Sequence, residues 1–123
     1  MRTILTVLLL ATLGCSGSPT EPKGVRTVTL RFGETASVSG ARITFTDVTD
    51  SRCPKEVVCA WEGDAAIRLE SGSESVVLHS NATAGVTAAN LGGVHITLTA
   101  VRPERLTLDE PRKSEYLVTL RVS

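Results

Sequence analysis

The chain has 123 residues, 13 Lys and Arg against 13 Asp and Glu, and 41% hydrophobic residues. That length holds one small domain, and the apolar share is too high for a disordered chain. A net charge of zero leaves no basic stripe to displace phosphate counterions, and Phe32, Phe45, Trp61 and Tyr116 are too few for a base-stacking platform, so nucleic acid is not an expected partner.

Arg2 precedes an almost unbroken apolar run from Ile4 to Leu10, and Ala11-Thr12-Leu13-Gly14 leads to Cys15. This is the pattern of a secretory signal peptide. The run falls short of the about 20 residues that a transmembrane helix needs. No A-x-A-like cut site is visible; instead, Leu13-Gly14-Cys15 resembles the lipobox of bacterial lipoproteins. The resemblance implies removal of residues 1–14 and a thioether-linked diacylglycerol, with palmitate-type chains, on Cys15. Each buried CH₂ contributes about 0.8 kcal/mol, so several chains make a stable anchor. Ser16 stands where Asp favours inner-membrane retention in that family, which implies the outer membrane, facing the periplasm. Residues 16–24, Ser-Gly-Ser-Pro-Thr-Glu-Pro-Lys-Gly, have the composition of a tether reaching on the order of 30 Å when extended. The expected organisation is therefore a signal peptide over 1–14, a lipidated cysteine and tether over 15–24, and a β-domain over 25–123.

Val28, Leu30 and Phe32 alternate with Thr27, Thr29 and Arg31, the period of a half-buried strand. Gly33 breaks it. Ala36 and Val38 make a second strand, Ser39-Gly40 signals a hairpin, and Ile43 and Phe45 lie on a third. The stretch from Trp61 to Leu69 predicts a fourth, with Ile67 and Leu69 inward. Ser71-Gly72-Ser73 turns into Ser75–His79, where Val76 and Leu78 share a face. A weak edge strand is expected around Val86 within the small, polar residues 80–93. Val94, Ile96 and Leu98 alternate with His95, Thr97 and Thr99. Pro103 and Pro111 bracket a charged connection holding Leu106 and Leu108, and Tyr116, Val118, Leu120 and Val122 close the chain. No helical period extends beyond about two turns. The pattern predicts an all-β domain of about seven strands, a single antiparallel sandwich, immunoglobulin-like, or else a small barrel.

Three cysteines are an odd count for an exported chain. With Cys15 taken by lipid, as the lipobox implies, Cys53 and Cys59 remain, and an oxidising compartment predicts a disulfide between them. Two cysteines with remote histidines are too few for a structural zinc site, and five intervening residues exclude a redox C-x-x-C.

The segment from Asp50 to Gly63, Asp-Ser-Arg-Cys-Pro-Lys-Glu-Val-Val-Cys-Ala-Trp-Glu-Gly, resembles one in small bacterial secreted proteins and lipoproteins of uncharacterised function. Its pattern is D-S-R-C-P, four residues, C-x-W-x-G. The resemblance implies a single β-domain and carries no activity. Physically, Pro54 fixes φ and turns the loop. Trp61 is expected on the strand face of Cys59, with its indole over the bridge. Arg52 is expected to pair with Asp50 or to hydrogen-bond loop carbonyls. Gly63 suits a bulge or a close approach. The same loop is a candidate recognition element, with Arg52, Pro54, Lys55 and Trp61 as its binding residues, because a bridge preorganises it. A cation site from Asp47, Asp50, Glu62 and Asp64 lacks calcium-loop spacing, so no metal or cofactor is expected.

His79 and His95 fall on the polar phase of their strands and are expected on the surface. No G-x-S-x-G, H-E-x-x-H, P-loop or G-x-G-x-x-G occurs. Asn81-Ala82-Thr83 fits a glycosylation acceptor only by coincidence in a bacterial lipoprotein. The sequence thus suggests a non-enzymatic envelope lipoprotein, membrane-held through lipid, with an envelope protein or glycan partner. The alternative is an inhibitor of a secreted hydrolase, a protease or lysozyme, acting through the Cys53–Cys59 loop.

Overall fold

A computed structural model describes residues 24–123; Cys15 and residues 1–14 lie outside the described residues. Eight strands follow in order: β1 (Arg26–Arg31), β2 (Thr35–Val38), β3 (Ala41–Asp50), β4 (Ala65–Ser71), β5 (Glu74–His79), β6 (Ala88–Leu91), β7 (Val94–Arg102) and β8 (Leu117–Val122). The only helical element among the described residues is a 3-10 turn, Lys113–Glu115.

The strands form two four-stranded antiparallel sheets, ordered β1-β8-β7-β6 and β2-β3-β4-β5. They do not close into a barrel, and the all-β sandwich expected from alternation is what forms. Eight strands form where about seven were expected, and the strand order is simpler than the immunoglobulin one, in which strands of the two sheets interleave. Every ladder joins chain neighbours except β1–β8. The weak edge strand lies at Ala88–Leu91, not at Val86. Val86 is instead a junction residue: its carbonyl accepts from the His79 amide, and the next carbonyl, Thr87, accepts from Leu98.

Alternation fills the core from both sheets, with Leu30, Ile43, Phe45, Ile67, Leu69, Ile96, Val118 and Leu120 all buried. Phe32 meets Phe45 edge-on, with centroids 5.4 Å apart. Two bulges interrupt the period, one between Phe45 and Asp47 in β3 and one between Leu98 and Ala100 in β7. Each inserts a residue and shifts the inward phase by one. In β3 the buried positions pass from Ala41, Ile43 and Phe45 to Val48 and Asp50. In β7 they pass from Val94, Ile96 and Leu98 to Val101. The bulge in β3 is thus what turns a carboxylate, Asp50, into the interior.

The sandwich has two distinct ends. Arg26 pairs with Val122, and Gly92 lies against Ala41 and Ser71, so the chain enters the domain at one end. Asp50, Ala65, Arg102 and Leu117 mark the other end, where the long loops 51–64 and 103–116 emerge.

Candidate functional site

The loop after β3 is built on an extended hairpin stem. Beyond the Asp50–Ala65 pair, the Ser51 amide donates to the Asp64 carbonyl (2.7 Å) and the Cys53 amide to the Glu62 carbonyl (2.8 Å). Gly63 permits this approach. Its φ is +75°, and a Cβ there would lie 2.0 Å from the Ser51 carbonyl oxygen. Pro54 is buried and opens a turn closed by the Val57 amide on its carbonyl, 3.2 Å. The Cys53–Cys59 disulfide closes the loop, with Cα atoms 6.0 Å apart.

Trp61 is not where alternation placed it. Residues Cys59 to Gly63 belong to no strand, because β4 begins only at Ala65. No shared strand face therefore puts the indole over the bridge, and Trp61 is 53% exposed.

The second loop is zipped to the first through the main chain. The Lys55 amide donates to the Arg105 carbonyl (3.0 Å), and Glu56 to Leu106 (3.2 Å). The Glu56 carboxylate returns the contact by accepting from the Leu108 amide, 2.7 Å. Lys55 reaches Glu104 at 2.7 Å. That hydrogen bond, with one from Arg102, holds the Glu104 carboxyl below the usual carboxylate range.

Beneath both loops lies a buried ionic hub. The Asp50 carboxylate is fully covered, and the Arg52 side chain is 17% exposed. Arg52 Nε donates to one oxygen at 2.9 Å and Nη2 to the other at 2.8 Å, the bidentate form that binds carboxylates most firmly. The Tyr116 hydroxyl donates to Asp50 at 2.7 Å. Arg52 also caps the Val101 carbonyl (3.2 Å) and the Pro103 carbonyl (2.7 Å), so both expected partnerships of this arginine form at once. Arg105 approaches the same carboxylate at 3.8 Å and donates to the Asp50 carbonyl at 3.3 Å. Burial would raise the Asp50 pKa; the hydrogen bonds from Arg52 and Tyr116 outweigh it and hold the carboxyl below its ordinary value. Burial, and then the hydrogen bond to Asp50, push the Tyr116 phenol well above its ordinary value.

His79 is a correction to the surface expectation. It is half-buried, its Nδ1 lies 2.6 Å from the Asp64 carboxylate, and its ring packs where a Cβ on Gly85 would stand. Ser80 donates to the Asp64 carboxylate and accepts from the Ala65 amide. His95 is exposed and bonds Asn90. Asp47, Asp50 and Asp64 are spent separately on Lys113, Arg52 and His79. Among the described residues no three potential ligands gather around a metal position.

Of the candidate loop residues, Arg52 and Pro54 are structural by position, while Lys55 and Trp61 face solvent. The structure adds Val58, 102% exposed, together with Leu106 and Leu108, 56% and 68% exposed. With Trp61 they are exposed apolar side chains on two interlocked loops at this end of the domain. A cleft of about 380 Å³ runs beside it, between the Cys53–Gly63 stem, Asn81 and Arg105. The sequence hint for Leu106 and Leu108 was two leucines inside a charged, proline-bracketed connection with no period to bury them; nothing comparable marked Arg105. No family model matches this chain, and comparison with curated proteins and with solved structures likewise found no match.

Proposed function

We propose that this chain is an exported envelope lipoprotein, held by lipid on Cys15, whose β-sandwich presents a protein-binding tip and performs no chemistry of its own. The observation that carries this reading is the set of four exposed apolar side chains on two loops fastened to each other, at the end of the domain opposite Arg26. Exposed apolar groups on a rigid support are how interaction sites are built. The polarity fits a display role, since Arg26, where β1 begins, lies at the opposite end of the domain from these loops. A glycan partner is less well served, because Trp61 is the tip's single aromatic.

The test is a paired capture from envelope extract, with the full chain and its Trp61→Ala variant as baits. A partner held by the parent and weakened about 30-fold by the variant, the size of an interface hot spot, supports the reading. Equal capture by both refutes it. Mass spectrometry of the membrane fraction checks the anchor, and an unmodified Cys15 removes it. The inhibitor alternative is favoured by one observation, the complete exposure of Val58 next to the bridge.

A further inference from the structure

We propose that the cleft of about 380 Å³ beside the loop stem binds small amino-carboxylates, free amino acids or short peptides, with Arg105 receiving the carboxylate and Glu62 the ammonium. None of Val58, Trp61, Leu106 and Leu108 lines this cleft, so the site stands independently of the protein-binding reading.

The hub sets two arginines around one carboxylate. Arg52 takes both Asp50 oxygens, at 2.9 and 2.8 Å, and the Tyr116 hydroxyl donates to the same group at 2.7 Å. Arg105 is left with long contacts: 3.8 Å to that carboxylate, 3.3 Å to the Asp50 carbonyl and 3.4 Å to the Leu108 carbonyl. Its Nε is buried without a hydrogen-bond partner, and its side chain is 11% exposed. A guanidinium carries five N–H donors in a fork that matches a carboxylate, and a charge taken out of water without a close counter-ion is costly. A buried polar group left over in this way calls for an explanation. Arg105 also lines the cleft, so a carboxylate entering there meets the one cation of the hub that lacks its own.

The carboxylates that line the cleft do not fill this role. Glu104 is engaged by Lys55 at 2.7 Å and by Arg102 at 2.9 Å. Glu62 belongs to the stem, where its carbonyl accepts from the Cys53 amide; its exposed carboxylate makes no hydrogen bond or ion pair among the described residues. The stem and the second loop thus each bring one unmatched charge to the cleft, of opposite sign. A simple anion is drawn to Arg105 and repelled by Glu62, and a phosphate is repelled more strongly. A ligand with an ammonium beside its carboxylate satisfies both. The volume lies near the lower end of ligand sites, about 300–1,000 Å³, which suits one or two amino-acid residues.

Isothermal titration of the full chain tests this with alanine and dialanine, each free, N-acetylated and C-amidated, at millimolar concentration. Saturable binding of a free form is expected, and the tighter of the two tells a free amino acid from a peptide as the source. Amidation is expected to weaken that binding at least tenfold, through loss of a charge-assisted contact to Arg105, and acetylation about fivefold, the size of a partly exposed ion pair. Arg105→Gln is expected to abolish binding of the free form, with urea unfolding confirming that the variant folds. Because Arg105 also braces two carbonyls, Glu62→Gln on an exposed side chain is the second variant. It is expected to weaken the free form about fivefold and to erase its advantage over the acetylated one. Binding of no probe, binding indifferent to blocked ends, tighter binding of the acetylated forms, or a Glu62→Gln variant that matches the parent overturns the inference.

Discussion

Replacing Arg52 with Ala tests the hub directly. The substitution removes two charge-assisted hydrogen bonds to Asp50 and two caps on the Val101 and Pro103 carbonyls. Asp50 stays fully covered, retaining only the Tyr116 hydroxyl, the amide of residue 52 and Arg105 at 3.8 Å. Breaking a buried pair from one side costs about 3–5 kcal/mol. The remaining donors put this case at the low end, about 3 kcal/mol, or about 15 °C in melting temperature for a domain of this size. The pH dependence is diagnostic. The Asp50 pKa is depressed in the folded chain, so its stabilisation is complete above the unfolded value of about 4 and is lost as pH falls through the lower folded value. Without Arg52, burial dominates, the carboxyl is driven upward, and the folded variant takes up a proton readily in acid. The gap between parent and variant should therefore be widest at neutral pH and shrink towards about pH 3. Adding Asp50→Asn should recover part of the loss by removing the unpaired charge. Urea unfolding across this pH range measures all three. A deficit below about 1 kcal/mol, or one constant with pH, would refute the reasoning.

Gly63→Ala places a methyl 2.0 Å from the Ser51 carbonyl at a φ of +75°, and should cost about 3 kcal/mol or more in chemical denaturation. Converting Cys53 and Cys59 to Ser opens a short loop closed across a sequence separation of 6 and should lower stability by about 2 kcal/mol, with reduction of the parent giving the same shift. Tyr116→Phe withdraws one donor from buried Asp50 and should cost about 2 kcal/mol in thermal melts, less in acid, where the carboxyl is protonated. Val58→Ala, on a side chain with no cover, should leave the unfolding free energy in urea within about 0.5 kcal/mol of the parent.

The sandwich was legible wherever period two ran unbroken: Leu30, Ile67, Leu69, Ile96 and Leu120 sit on the faces their spacing assigned them. The Cys53–Cys59 pair was legible from counting once Cys15 was set aside, and that pair is bridged. What escaped was everything that depends on a phase shift or on distant chain meeting distant chain. A bulge has no local residue signature in β3, so Asp50 could not be placed inward from alternation. The stretch holding Trp61 runs on into a strand, but Gly63 and the stem geometry delay β4 until Ala65. His79 lies on the outward phase, yet Asp64, which it bonds, comes from the loop preceding β4, and no spacing rule relates the two. The fastening of 105–108 onto 55–56 joins segments about fifty residues apart, at 105 and 106 through main-chain atoms that carry no sequence signal and at 108 through the Glu56 carboxylate.

That last property has a consequence for how such a protein changes over evolutionary time. Much of the clasp between the loops reads peptide groups, and Arg52 grips two carbonyls besides Asp50. The outward side chains of Val58, Ala60, Trp61 and Glu62, and those from Leu106 to Glu110, can therefore be exchanged with little demand from the framework beneath, provided that the bridge, Gly63 and the Lys55 and Glu56 side-chain contacts stay. A lineage could retarget this surface by point substitution alone, and a protein engineer could diversify the same positions as a small library on an unchanged chassis.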